Sequence, residues 1–395
     1  MTPAHGTDYR LLHAAAFVAI FCLGVSAATI GPVLPFLAGD VDIALDTAGL
    51  LLTAFFIGSI GSSALVAFAL HGRDTRVLCA VGLGAQLLGT AALGFAPTWP
   101  LVLASGLIIG IGDGFVVAGT HILIPATSDD VPSALNRLNI FFALGAIAGP
   151  VWAGAVLSIT GEREIVYAGI CGLLAAALAL MILADVSAHR AFAAPDEEFK
   201  PPSSATAWIM GGVLFLYVGA EFGLGTWVST FARDTADAGV FGAALIAAGY
   251  WGALAAGRFV TAWYFRDGRE PSRLLAVACA GGGIAALVLT LSSGNIALAA
   301  AAAFGAGFFF GPIWPAVTAI VAEGAESSTM ATTVTLGNAG GIAIPWLQGR
   351  VLVGAGATQG VGVTAALCAV MFAIVAVFRA GRPGVRVVKV RDRLA

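Results

Sequence analysis

Two carboxylates stand where apolar sequence leaves little room for charge. Glu221 lies in the apolar run 207–232 and Asp113 in the run 99–124. Each is about 14 residues from one end, roughly 21 Å along a helix axis and so near the middle of a bilayer. A charge at that depth costs from about 2.5 kcal/mol upward, so it is expected to face a cavity or a partner. Phe222, Gly223 and Leu224 bring no cation to Glu221, and a carboxylate so placed is suited to taking up and releasing a proton. The alternative is a hydrogen-bonded acid that holds two helices together. Asp113 has the same two readings, and Gly112 and Gly114 on either side of it let a substrate or another helix approach the backbone. His121 follows two turns later on a related face, as a proton relay or a packing residue.

Arg258 lies roughly 10 Å from the inner end of its run. That depth differs from that of Glu221, so the two are not expected to pair. The long stem of Arg258 suits it to snorkel inward or to act as a conformational latch. Asn139, Asn338 and Gln348 can hydrogen-bond hydroxyl groups, and Trp227, Trp251, Trp314 and Trp346 offer flat apolar faces. Amides plus stacking faces suit a sugar; the same tryptophans suit an apolar drug or simple packing. Trp99, Trp208 and Trp263 fit the membrane interface instead.

The elements that must carry these residues are membrane helices. Hydrophobic residues make up 59% of 395 positions and charged residues 10%, with a mean hydropathy of +0.95. A soluble domain with so few charges would expose aggregating patches. Runs of about 20 apolar residues, enough to span a bilayer, occur near 11–38, 46–70, 76–95, 99–124, 135–158 and 164–185. A second set lies near 207–232, 240–265, 273–292, 295–322, 328–352 and 361–379. The expected fold is therefore an all-α membrane protein of twelve transmembrane helices in two six-helix halves. Arg10 with the apolar stretch up to Val25-Ser26-Ala27 has the look of a secretory signal. The run continues through Leu37, however, so it is read as the first span.

Basic residues orient the chain. With both ends inside, Arg10, Arg73, Arg76, Arg137, Arg190, Lys200, Arg266, Arg269, Arg273 and the tail from Arg379 to Arg393 are cytoplasmic. Arg163, Arg233 and Arg350 lie outside, as do Asp40, Asp42 and Asp46. The expected organisation is a first half over 1–185, a polar proline-containing cytoplasmic linker over 186–206, a second half over 207–380 and a basic tail over 381–395. One constant shift carries Gly24 onto Gly219 and Gly110 and Gly112 onto Gly305 and Gly307. It also carries Gly145, Pro150 and Gly154 onto Gly340, Pro345 and Gly349. The halves therefore read as a repeat, whereas Asp113 falls opposite Phe308 and Glu221 opposite Ser26. Two parallel six-helix repeats are a secondary-transporter architecture.

Several stretches resemble the major facilitator superfamily and, within it, the fucose permease branch. The sharpest is Tyr217-Val218-Gly219-Ala220-Glu221, continuing through Gly225 and Trp227. Gly249-Tyr250-Trp251-Gly252 with Gly257-Arg258, Gly311-Pro312-Ile313-Trp314-Pro315, and Leu135-Asn136 with Gly145 and Gly149-Pro150 are similar to further patterns of that branch. There are departures. The loop from Ala67 to Arg76 keeps only the final arginine of the superfamily pattern, with His71 and Asp74 at two other key positions. Arg76 is thus expected to retain a latch contact. The fourth-span acid and asparagine of relatives correspond to Val117 and His121, which leaves Asp113, one turn earlier, as the candidate replacement. The frame Gly145-x3-Gly149-Pro150-x2-Ala153-Gly154 also resembles that of drug–proton antiporters.

The resemblance implies alternating access, with substrate near the midplane between halves and Asp113, Glu221 and His121 in proton coupling. Substrate contacts would come from Asn139, Trp227, Trp251, Trp314, Asn338 and Gln348. The expected function is proton-coupled symport of a small polar organic solute, foremost a sugar, in a plasma membrane. Drug or metabolite efflux is the alternative, and a transporter-like sensor a third class. The proton gradient would be the energy source, with no cofactor: the sequence contains no Gly-x4-Gly-Lys-[Ser/Thr] phosphate loop. Cys22, Cys79, Cys171, Cys279 and Cys368 lie in apolar runs and read as packing residues. Neither an enzyme nor a nucleic-acid binder is expected, and a monomer suffices.

Overall fold

The computed structural model describes residues 9–70, 74–184, 205–322 and 327–381. His71 and Arg73, nearly all of the expected linker and the tail beyond Gly381 lie outside the described residues. Fifteen helices follow one another: α1 (Arg10–Asp40), α2 (Leu45–Ala48), α3 (Leu50–Ala69), α4 (Thr75–Gly94), α5 (Trp99–Ala126), α6 (Val131–Thr160), α7 (Arg163–Leu183), α8 (Ala205–Ala236), α9 (Val240–Arg266), α10 (Pro271–Thr290), α11 (Ile296–Phe310), α12 (Ile313–Ala322), α13 (Ser327–Asn338), α14 (Gly340–Ala355) and α15 (Ala357–Ala380). Among the described residues, eleven stretches are long and apolar enough to cross a membrane, with α2–α3 and α11–α12 each forming one. The remaining expected span, 328–352, is met by α13 and α14 in succession.

The breaks have local causes. Pro312 supplies no N–H, and α11 stops at Phe310 just before Gly311-Pro312. Gly337, Gly340 and Gly341 surround the break at Ala339, where helix propensity is lowest. Elsewhere proline is absorbed, as at Pro32 and Pro35 in α1 and Pro150 in α6. Asp74 caps α4 through the Arg76 amide, and Asp130 caps α6 through the Ser133 amide. Large apolar side chains such as Leu88, Ile159, Phe259, Ile284 and Val377 stand exposed, as lipid-facing surface requires.

The chain divides into two compact units, Met1–Glu198 and Phe199–Ala395. In the first, α1 packs on α6 and α7, α5 packs on α3 and α4, and α4 packs on α7. In the second, α8 packs on α13, α14 and α15, α11 packs on α9 and α10, and α10 packs on α15. The pairing is the same in both, as the repeated glycines predict. Gly24 and Gly145 are in mutual backbone contact: a Cβ on Gly24 would overlap the Phe142 carbonyl, and one on Gly145 the Phe21 carbonyl. Gly340 meets the Phe215 carbonyl in the same way. The register of the fourth-span pair differs from the sequence expectation. Gly110 abuts the Phe55 carbonyl, and the residue with that part in the second unit is Gly307, against the Tyr250 carbonyl, rather than Gly305.

One end of the first unit is tied by a buried arginine. Arg163, at the start of α7, is 4% exposed. Its Nε lies 2.7 Å from Asp40 Oδ2, at the end of α1. Nη1 donates to the Leu93 carbonyl at 3.0 Å and Nη2 to the Ala96 carbonyl at 2.8 Å. The Leu93 carbonyl lies in the last turn of α4 and that of Ala96 just beyond it, where the helix dipole favours a cation. Sequence counting places Arg163 only as an external basic residue; the fold makes it a three-helix tie.

Candidate functional site

Glu221 sits midway along α8 and is 4% exposed. Its Oε1 lies 3.3 Å from Nη2 of Arg258 on α9. This corrects the expectation that the two would not pair. Depth along each helix places backbones, but an arginine side chain reaches across about a turn, and that of Arg258 extends toward Glu221 instead of inward. Tyr250 on α9 donates its hydroxyl to the Glu221 backbone carbonyl at 2.9 Å. Tyr217, one turn before Glu221 on α8, adjoins both charges.

Aromatic rings cluster on the Glu221 side of the pair. Tyr217 and Tyr250 meet the Phe310 ring edge-on at 6.0 and 6.4 Å. Trp251 meets Tyr250 at 5.3 Å and Phe222 at 5.7 Å. In such surroundings the ionic attraction is strong, but so is the cost of removing two charges from water. The Arg258 side chain remains 30% exposed against 5% for Glu221. The carboxylate is thus the member that depends more on its partner.

Asp113 belongs to the first unit. Ser59 on α3 donates to its Oδ2 at 2.7 Å. The flanking glycines are needed for packing: Gly112 abuts Gln86 and the Gly82 carbonyl on α4, and Gly114 abuts Ser59 and Ser62 on α3. Their backbones hold α5 against both neighbours and present the carboxylate to Ser59. His121 is exposed, and its Nδ1 lies 2.8 Å from the Val117 carbonyl of its own helix. Asn139 is likewise exposed and bonded to its own helix, at the Leu135 carbonyl, 3.2 Å away.

The second unit distributes the expected binding residues unevenly. Trp227 has no exposed surface; its Nε1 donates to the Pro345 carbonyl at 2.8 Å, and its ring fills the space over Gly349. Gln348 is equally buried, with Nε2 donating to Thr364 Oγ1 at 3.1 Å and Oε1 against Gly223. Both side chains fasten α14 to its neighbours. Trp251 is 4% exposed within the aromatic cluster, over Gly225. Trp314 is half-buried at the start of α12, and Asn338 is half-buried at the break between α13 and α14. Arg76 donates from Nη1 to the Ala184 carbonyl at 2.7 Å, joining the start of α4 to the end of α7.

The structure therefore brings Glu221 together with Arg258, and adds Tyr217, Tyr250 and Ser59, which sequence reasoning left without roles. Tyr217 carried a usable signal, since it precedes Glu221 by one helical turn. Tyr250 and Ser59 carried none, because their contacts cross between helices.

The profile of the Major Facilitator Superfamily matches residues 16–345. The chain is 23% identical over 311 residues to sodium-dependent glucose transporter 1 of Homo sapiens, covering 69% of this chain and 60% of that protein. It therefore spans about three fifths of the human relative's length. It is 26% identical over 322 residues to a glucose/galactose transporter of Brucella abortus, covering 75% and 76%. Among solved structures, a bacterial homologue of the human lysosomal transporter Spinster superposes with a TM-score of 0.80 at 14% identity, over 96% of this chain and 100% of that one. The Escherichia coli fucose:proton symporter superposes with a TM-score of 0.63 at 18% identity, over 94% and 99%. With its repeated helix pairing and a family profile matched along most of its length, the chain belongs to the Major Facilitator Superfamily.

Proposed function

We propose that the protein is a secondary active transporter that moves a small polar organic solute, foremost a sugar, together with protons by alternating access in a plasma membrane. The observation that carries this reading is the buried Glu221 carboxylate paired with Arg258 in a membrane protein of this superfamily. A proton on Glu221 removes one charge of the pair and frees Arg258, whose side chain is the less buried of the two. Loss of that proton restores the attraction. Proton binding is thereby converted into the making and breaking of a contact between α8 and α9. Asp113, held by Ser59, is a second site at which a proton can be bound. His121 would relay to it, and Asn139, Asn338, Trp314 and Trp251 would contact the solute. Trp227 and Gln348 would shape that surface from behind. Arg258 and Arg76 would act as latches. The glucose and galactose named for the relatives support a sugar as solute. An enzymatic role is not proposed, and a single chain in the lipid bilayer suffices.

The test is uptake into proteoliposomes, with labelled glucose, galactose and fucose offered under an imposed pH gradient. Accumulation driven by inward proton flow is expected. A parallel arm with an inward sodium gradient addresses the ion named for the human relative; accumulation in that arm alone overturns proton coupling. Solute driven out against inward proton flow would instead establish export.

A further inference from the structure

Inside the first unit lies a cavity of about 10 Å³, between α1, α3, α4, α5 and α7. Most of its wall is apolar, including Phe55, Leu93 and Ile109. Three hydroxyl-bearing residues are among those that line it, Ser26 on α1, Thr90 on α4 and Tyr167 on α7. All three oxygens are buried, and among the described residues no group hydrogen-bonds any of them. Thr90 is 2% exposed and Tyr167 4%.

Buried hydroxyls on helices ordinarily find an acceptor one turn back, and this unit shows the habit. Ser62, Ser105 and Thr120 donate to the carbonyls of Gly58, Leu101 and Val116. Ser26 and Thr90 make no such bond, and three hydroxyls left unsatisfied around one space would be costly. A cavity of this size holds about one water molecule, and a water needs two to four polar partners. Each hydroxyl can donate or accept, so three of them satisfy a water in any orientation. A metal cation is unsuited, because the wall supplies three neutral oxygens and no carboxylate, fewer than the roughly six ligands a hard cation takes.

We propose that Ser26, Thr90 and Tyr167 form a binding site for one ordered water molecule, which joins α1, α4 and α7 inside the first unit. The site is separate from the proposed coupling residues and stands whether or not the protein carries protons. Its position gives it a mechanical part: α1, α4 and α7 are the helices that Arg163 ties at their ends, and the water ties them again within the core. A six-helix half that moves as one body requires such internal ties.

The test combines a map that resolves water with three variants of the full-length protein, Ser26→Ala, Thr90→Val and Tyr167→Phe. Expected are a density peak at about 3 Å from all three oxygens and a Tm lowered by a few degrees in each variant. The sign of the Tm change is decisive, because deleting a hydroxyl that faces a dry cavity relieves an unsatisfied group and raises the Tm. Absence of the peak, or a Tm that rises when a hydroxyl is deleted, overturns the proposal.

Discussion

Nη2 of Arg258 lies 3.3 Å from Oε1 of Glu221, and the two are contributed by consecutive helices, α8 and α9. The carboxylate is the more deeply buried partner, so the two residues should answer differently to neutralisation. Arg258→Gln leaves a buried, uncompensated carboxylate and is expected to cost about 3 kcal/mol. Glu221→Gln leaves the less buried partner alone and should cost less. In the double variant part of the loss should be recovered. Thermal unfolding of the purified proteins gives the coupling energy, and strictly additive losses would show that the pair contributes nothing.

The same glutamate separates coupling from translocation. Glu221→Gln is expected to abolish accumulation driven by a pH gradient while leaving solute exchange across the vesicle membrane within about twofold. Each twofold change corresponds to only about 0.4 kcal/mol. Unchanged accumulation would sink the coupling role of Glu221.

Asp113 and Ser59 make a second pair for dissection. Asp113→Asn keeps the size of the side chain and its capacity to accept from Ser59, but removes the charge and the proton site. Gradient-driven uptake should fall at least tenfold. Ser59→Ala removes a hydrogen bond to a charged group, which contributes about 1.5–3 kcal/mol, and should lower uptake less than Asp113→Asn. Equal uptake by Asp113→Asn and wild type would assign Asp113 to packing alone.

Arg163 is expected to dominate the stability of the first unit. Arg163→Gln loses the ion pair to Asp40 and both carbonyl contacts, at a cost of about 3 kcal/mol. Asp40→Asn leaves the buried guanidinium without that ion pair but with both carbonyl contacts in place, so it should cost less than Arg163→Gln. Melting curves of the two variants would decide; equal losses would contradict this ordering.

Glycine substitutions should divide by what a side chain would meet. A Cβ on Gly145 would overlap the Phe21 carbonyl, and no rotamer change moves a backbone, so Gly145→Val is expected to prevent folding to a monodisperse protein in detergent. A Cβ on Gly61 in α3 meets nothing within 4 Å. Gly61→Ala should therefore be neutral or raise stability by up to about 1 kcal/mol through helix propensity. Size-exclusion profiles and melting temperatures read both effects.

Hydropathy and glycine spacing determine the scaffold because the bilayer imposes one rule on every span. Backbone groups must be satisfied within the helix, so apolar runs such as 99–124 become helices whatever surrounds them. The shared glycines likewise announce the repeated helix pairing, since only a residue without a side chain permits backbones to touch where Gly145 meets Phe21. Glu221 and Asp113 were legible as costly charges in apolar sequence. Their partners were not. Ser59 reaches Asp113 from another helix, and Arg258 reaches Glu221 across a difference in depth that counting along each helix reads as a separation. Trp227 and Gln348 look like lining residues by type, yet the rotation of α8 against α14 turns both into the packing. Arg163 changes from an external charge to a buried tie for the same reason. Periodicity fixes which residues share a face, but the rotation of each helix against its neighbours decides what that face meets, and only the tertiary structure contains that rotation.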